Sequence, residues 1–166
     1  SLGYVYNGNT FDDQFYNSYG SPVPAVGYDI IEGPKVDKNG DGTKETTLGM
    51  TSFVYFASGS SVSDPSTKVY VGTLQWFNLM EGFLPRPEYP TQVPFVDPLT
   101  GLAEKFVLSG DPQTGTGWID GIILPPGDRR LVMNTGPFTM ALGDTQTVVL
   151  GLIGGMGGDN LSSITV

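Results

Sequence analysis

The sequence contains no cysteine and no histidine among its 166 residues. Without cysteine there is no disulfide, no thiolate nucleophile and no thiolate metal site. Without histidine, the most common general base and the usual protein ligand of zinc or copper are missing. Catalysis would have to rely on carboxylates, tyrosine, lysine or a hard cation, and the sequence carries no catalytic motif. These absences favour a binding or structural role over an enzyme.

Basic residues are also scarce: 8 Lys and Arg stand against 17 Asp and Glu, for a net charge of -9. Nucleic-acid binding needs clustered basic side chains, and the only adjacent pair, Arg129–Arg130, directly follows Asp128. No apolar run approaches the ~20 residues of a membrane-spanning helix. We therefore expect neither a nucleic-acid partner nor a membrane span.

Glycine and proline are abundant, with 24 and 13 residues, beside 2 Trp, 8 Tyr and 9 Phe. Short segments rich in β-branched and aromatic residues lie between Gly/Pro turns, a pattern typical of strands. Short strands without alternating helices predict a mainly β fold, an antiparallel β-sandwich (Ig-like or jelly-roll-like) with long loops. The segments predicted as strands are Leu2–Tyr6, Tyr28–Ile31, Leu48–Ser58, Lys105–Ser109, Arg130–Asn134, Pro137–Ala141, Thr145–Ile153 and Leu161–Val166.

The length fits a single domain over 1–166. The first residue is Ser1 and no signal peptide is recognisable, while the last residues have a strand-like composition. We therefore expect this domain to be a piece of a longer polypeptide, or the ordered part of one.

One helix is predicted near 65–82. Asp64 can cap it, and Pro65 suits the first helical position. Apolar residues recur there at helical spacing, and they are Tyr70, Leu74, Phe77, Met80 and Leu84. A strand through Lys68–Leu74 is the alternative. Five prolines between 84 and 98 predict an extended surface loop after the helix.

One loop has the spacing of a calcium site. Oxygen-bearing residues alternate along it, and Gly42 stands where a calcium-binding loop turns sharply. The candidate ligands are Asp37, Asn39, Asp41, Thr43 (through its carbonyl) and Glu45. Leu48 occupies the position of the bidentate acid, and strands flank the loop, so an EF-hand is excluded. A looser extracellular calcium site and a plain surface turn both fit these residues.

Blocks spread over most of the chain form a recognisable set: Val26–Asp29, Gly33–Pro34, Met50–Tyr55, Gly110–Trp118, Asp128–Arg130, Gly136–Ala141, Gly143–Gln146 and Leu161–Ser163. The set resembles a recurrent region of large bacterial secreted proteins that look like cargo of the type IX secretion system and often end in its C-terminal sorting domain. The resemblance implies a β-rich module in an extracellular or cell-surface setting and carries no catalytic residues. One departure is Leu142, where that region commonly has proline before Gly-Asp.

Three functions are consistent with these residues. The leading hypothesis is a non-catalytic module for structure, adhesion or assembly, contacting neighbouring domains of the same polypeptide or self-assembly partners through loops at 58–64 and 84–104. The second is a carbohydrate-binding module, with or without calcium, whose aromatic candidates are Tyr4, Tyr6, Trp76 and Trp118. The third is a carboxylate glycoside hydrolase, with Asp12, Asp13, Asp29 and Glu32 as its candidate acids.

Overall fold

A computed structural model describes residues 2–9, 14–125 and 127–166. Short strands in several antiparallel sheets, with few helices, confirm the mainly β class. The strands are β1 Leu2–Val5, β2 Ala25–Glu32, β3 Lys35–Val36, β4 Thr46–Thr47, β5 Ser52–Phe56, β6 Phe95–Val96, β7 Ala103–Glu104, β8 Arg130–Asn134 and β9 Val149–Gly155. The helices are α1 Gln14–Ser18, α2 Tyr70–Met80 and a 3₁₀ helix at Ser162–Ile164. None of these helices combines the length and apolar character needed to cross a membrane.

The largest sheet has the strand order β1-β2-β9, and both of its pairings are antiparallel. In the central strand β2, Gly27 lies opposite Tyr4 of β1 and opposite Ile153 of β9. A second pair joins β5 to β8, with Val54 opposite Val132. Two short ladders, β3 with β4 and β6 with β7, complete the regular strand pairing among the described residues.

The hydrophobic core lies around β5. Successive side chains of a strand point to opposite faces, so Val54 and Phe56 share the face that meets α2. Val54 and Leu79 are fully buried, and the Phe56 ring meets Trp76 edge to face at 5.1 Å. Asn134 Nδ2 of β8 donates a hydrogen bond to the Leu79 carbonyl at 3.0 Å. These contacts hold α2 against the β5–β8 pair.

The other face of β5 meets β1. Gly3 lies so close to the Phe53 ring that a Cβ atom at Gly3 would overlap with it. Glycine in a strand interior often marks such a close approach. The missing side chain therefore lets β1 approach the Phe53 ring of β5.

The helix α2 begins later than predicted, at Tyr70. Its N-cap residue, Val69, is extended and makes no side-chain cap. Asp64, the predicted cap, instead forms an ion pair with Arg130 at 2.8 Å. The proposed capping at Asp64–Pro65 was therefore wrong, because the segment before Tyr70 is used to reach β8.

The predicted apolar stripe of this helix was also wrong, since Tyr70, Phe77 and Met80 are exposed. The buried residues of α2 are Gly72, Gln75, Asn78 and Leu79. Gly72 faces the Ser66 carbonyl with no room for a side chain. The buried polar residues, Gln75 and Asn78, form hydrogen bonds to the proline-rich segment that follows. A pattern of apolar residues alone could not predict this buried face.

Three segments predicted as strands are not strands. Pro137–Ala141 is irregular, Lys105–Ser109 contributes a single parallel bridge at Phe106, and Leu161–Val166 contains the 3₁₀ helix. The 3₁₀ turn forms because Asp159 Oδ1 accepts the Ser162 backbone N–H at 2.6 Å. By contrast, Arg130–Asn134 is the strand that was predicted.

The five-proline segment is not a simple surface loop. Pro85 is fully buried, and Asn78 Nδ2 donates hydrogen bonds to the Pro87 and Thr91 carbonyls at 3.0 and 2.9 Å. The segment also contains β6. Prolines leave their carbonyls as acceptors while removing N–H donors, so a buried side-chain donor on α2 can hold this segment in place.

Candidate functional site

Strand β9 forms one edge of the largest sheet. Within the described residues it pairs with β2 and with no other strand, so its outer row of N–H and C=O groups is open to another strand. The sequence of β9, VLGLIGG, has no charge and no proline. Natural edge strands usually carry charged residues, prolines or bulges, which prevent pairing with other chains. The bulge in this pairing lies in β2, between Ile30 and Glu32, and β9 itself carries neither charge nor proline.

The side chains of β9 are apolar and exposed on both faces of the sheet. Leu150 and Leu152 point to one face and are 54% and 67% exposed. Val149 and Ile153 point to the other face and are also exposed. Tyr28 of β2, directly opposite Leu152, extends the apolar surface. A cluster of exposed apolar side chains is a candidate interaction surface.

The C-terminal segment positions the end of β9. Ser163 is buried; its Oγ donates to the Val23 carbonyl and accepts the Gly157 backbone N–H, both at 2.9 Å. The Ser163 and Val166 carbonyls lie over Gly155, where a side chain would collide with them. The turn after β9 is therefore fixed to the start of β2, and Val149–Ile153 is the portion of β9 left clear of this segment.

The predicted calcium loop is exposed and closed by its own hydrogen bonds. Asp37 carboxylate oxygens accept the backbone N–H groups of Gly40 and Gly42, each at 2.7 Å. Asp41 Oδ1 accepts the Thr43 N–H at 2.7 Å. Asn39 Nδ2 donates to Asp41 Oδ2 at 3.0 Å, and the same amide lies 3.4 Å from Glu45 Oε1. The loop thus gathers the candidate residues.

A plain surface turn would bring these side chains together in the same way. In the part of the chain that the structure describes, no three acidic, cysteine or histidine side chains form a group suited to a metal ion. The Gly42 N–H, with those of Gly40 and Asp41, holds the pKa of Asp37 below its ordinary value. These bonds therefore favour the folded loop above the ordinary carboxyl pKa and are lost on acidification. Calcium binding at this loop stays a prediction.

We expect calcium to raise the melting temperature if the loop binds it, because a ligand that binds only the folded state stabilises that state. At one hundred times Kd the gain is about 2.7 kcal/mol, or roughly 5–10 °C for a domain of this size. Thermal melts with calcium, with magnesium and with chelator measure this, and Asp37→Asn should abolish the response. Equal midpoints with calcium and with chelator would contradict the site.

The aromatic candidates do not form one platform. Trp118 is buried in the core cluster, and Trp76 packs against Phe56. Tyr4 and Tyr6 do lie together, with ring centroids 6.2 Å apart, and both line a cleft beside β1. The sequence could not distinguish core aromatics from ligand-binding ones, because the residues around a tryptophan can be the same whether it packs in a core or binds a sugar.

The candidate hydrolase acids are not brought together by any described contact. Asp12 and Asp13 lie outside the described residues. Glu32, at the end of β2, lies 3.5 Å from Lys35 Nζ. Asp29 lies within β2, opposite Leu2 and Gly151.

The two loops predicted as contact surfaces are partly buried. Loop 58–64 places Val62 in the core, and loop 84–104 packs partly on α2.

Two features were missed by sequence reasoning. The strand Thr145–Ile153 was predicted, and β9 confirms its second half, but its position at a sheet edge was not foreseen. The sequence did contain an indication of this, because the residues on both faces of β9 are apolar. A strand with one face in solvent usually alternates apolar and polar residues. The second missed feature is the ion pair of Asp120 and Arg129, which are nine residues apart in sequence and whose Oδ1 and Nη2 atoms are 3.1 Å apart.

Searches of protein families, of curated proteins and of solved structures found no match to this chain.

Proposed function

We propose that this chain is a non-catalytic assembly module of an extracellular or cell-surface bacterial protein, and that it assembles by pairing β9 with β9 of a second copy. The observation that carries the proposal is the open, uncharged edge of β9 with exposed apolar side chains on both faces. The resemblance to type IX secretion cargo supports the extracellular setting.

The β9 strand is self-complementary in an antiparallel pairing centred on Gly151. In that register Leu150 lies opposite the partner's Leu152 on one face, and Val149 lies opposite the partner's Ile153 on the other. Apolar pairs opposite each other are favourable cross-strand contacts. Pairing would join the two three-stranded sheets into one continuous sheet and satisfy both open edges.

Charge supports pairing at β9 rather than elsewhere. Each copy carries a net charge of -9, so two copies repel each other at long range. A strand without charged residues is a place where they can approach with little added repulsion. Salt screens the remaining repulsion, so the association should strengthen as ionic strength rises.

The proposal includes a β-sandwich arrangement, in which the β1-β2-β9 sheet and the β5–β8 pair are the two facing layers. The contact of Gly3 with the Phe53 ring supports it, as does the inter-sheet surface that Val26 and Met133 share. In this arrangement the outward part of β9 extends past the smaller layer, which leaves Leu150 and Leu152 uncovered.

The test is sedimentation velocity of the chain over a concentration series, for the native sequence and for Leu152→Lys. We expect the native chain to dimerise and the variant to remain monomeric, with Kd raised at least about a hundredfold, since two lysines would enter an apolar sheet contact. The matched control is Leu142→Lys, because Leu142 is fully exposed in a turn outside β9. That control should dimerise like the native chain.

Two results would contradict the proposal. A native chain that stays monomeric up to millimolar concentration and in high salt would rule out pairing between copies. Equal dimerisation of the native chain and Leu152→Lys would show that another surface is responsible.

A further inference from the structure

A cleft of about 760 Å³ lies beside β1, away from the edge formed by β9. Its lining includes residues 2–8, residues 106–110 and 119–121, and Arg129 and Leu131. A smaller cavity of about 220 Å³ adjoins it, since both are lined by Gly3, Phe53 and Arg129. The volume is within the range of small-molecule sites, ~300–1,000 Å³.

Arg129 is a buried polar group of the cleft with several partners. Its side chain is 8% exposed, and its Nη2 lies 3.1 Å from Asp120 Oδ1. The guanidinium also donates to the Gly127 carbonyl at 3.1 Å and to the Pro125 carbonyl, and lies over the Tyr55 ring at 5.6 Å. Its Nε has no hydrogen-bond partner in the described part of the chain. A buried donor without a partner is costly.

Asp120 provides an acceptor beside this donor. Its Oδ1 is buried and, despite the ion contact with Arg129, accepts no hydrogen bond from the described residues. Burial raises the pKa of Asp120, and the Arg129 charge and the Gly121 N–H oppose that rise. Tyr6 Oη donates to the Asp120 backbone carbonyl at 3.1 Å, which holds the loop against β1. Arg129 Nε and Asp120 Oδ1 are themselves buried, but the Asp120 side chain as a whole is 31% exposed. The cleft therefore offers the accessible part of the Asp120 carboxylate as an acceptor, and the ion contact with Arg129 holds that carboxylate in place.

We infer that this cleft binds a neutral carbohydrate, with the exposed part of the Asp120 carboxylate accepting from sugar hydroxyl groups, Arg129 holding that carboxylate in position, and Tyr4 and Tyr6 contacting the sugar ring. A sugar hydroxyl can donate to a carboxylate oxygen, and a hydrogen bond to a charged acceptor is stronger than one between neutral groups. The two tyrosine rings offer apolar area with a polar tip.

The charge of the site selects against anions. Arg129 is already paired with Asp120, and Arg130 is paired with Asp64 and Asp128. Asp128 also lines the cleft. No unpaired cation among these groups is available to a phosphate or sulfate, and the net charge of -9 adds to the repulsion. A neutral polyhydroxy ligand avoids this cost. The inference is independent of β9 pairing.

The test begins with an array of neutral glucan, xylan, mannan and chitin oligosaccharides, beside sialylated and sulfated glycans and a peptide library. Titration calorimetry with the best neutral oligosaccharide then compares the native chain with Asp120→Asn and Tyr4→Ala. We expect each change to weaken binding at least about tenfold. The matched controls are Asp97→Asn and Tyr70→Ala, since neither residue lines the cleft, and they should bind like the native chain.

A measurement on the native chain removes any dependence on variant folding. Backbone amide NMR shifts upon titration with the same oligosaccharide should move at Gly110, Gly121 and Gly127, which line the cleft. Absence of binding to every neutral glycan at millimolar concentration would overturn the inference. So would a preference for sulfated glycans or peptides, unchanged affinity in a folded Asp120→Asn variant, or shifts confined to other surfaces.

Discussion

Asn78→Asp is expected to destabilise the domain by at least about 3 kcal/mol at neutral pH, as expected for a buried charge without a partner. Asn78 is fully buried, and its amide donates to the Pro87 and Thr91 carbonyls at 3.0 and 2.9 Å. The substitution keeps the shape but replaces this double donor with a carboxylate facing two carbonyl oxygens. The polar link between α2 and the five-proline segment would be lost.

This substitution has a distinctive pH dependence. A protonated carboxyl can donate one hydrogen bond, so the loss of stability should shrink as the pH falls. Urea unfolding at several pH values measures the effect. Asn17→Asp is the matched control, because it adds the same charge at an exposed position and should change stability by less than about 0.5 kcal/mol. A loss for Asn78→Asp no larger than for this control would refute the role of Asn78.

Leu79→Ala is expected to lower the free energy of unfolding by about 3–4 kcal/mol, within the range found for buried leucines. Leu79 is fully buried beside Val54 in the core cluster, and nothing in the tightly packed β5–β8 surface can move to fill the cavity without cost. For a domain of this size the loss corresponds to about 6–16 °C in Tm.

The neighbouring residue provides the control for this prediction. Met80 is 53% exposed, so Met80→Ala should cost less than about 1 kcal/mol. The sequence pattern predicts the reverse order, because Met80 belongs to the apolar stripe Tyr70, Leu74, Phe77, Met80 and Leu84 and Leu79 does not. Thermal and urea unfolding of the two variants thus discriminate between the helix orientation in the structure and the one predicted from sequence. A larger effect of Met80→Ala would favour the sequence-based orientation.

The candidate surfaces differ in how much of them the sequence could predict. The apolar composition of β9 is visible in the printed residues Val149–Gly155, but its place at the sheet edge depends on β1 pairing with the other side of β2. The proximity of Asp120 and Arg129 depends on how the segments 119–125 and 127–129 lie relative to each other, which no local pattern specifies. The calcium loop is the opposite case, because the hydrogen bonds that gather its candidate ligands all lie between residues 37 and 45.

The sequence by itself determined the composition-driven properties of this chain. The absence of cysteine and histidine and the net charge of -9 limit its chemistry, and β-branched runs between Gly/Pro turns determine its mainly β class, since both depend on residue type and short-range backbone preference. The tertiary structure decided which surfaces are buried. Leu79, and not Met80, enters the core because Asn78, one residue before it, holds the proline segment, and β9 is exposed because the sheet ends there. Such outcomes depend on contacts between residues far apart in the chain, whose free energies appear only when the whole fold has formed.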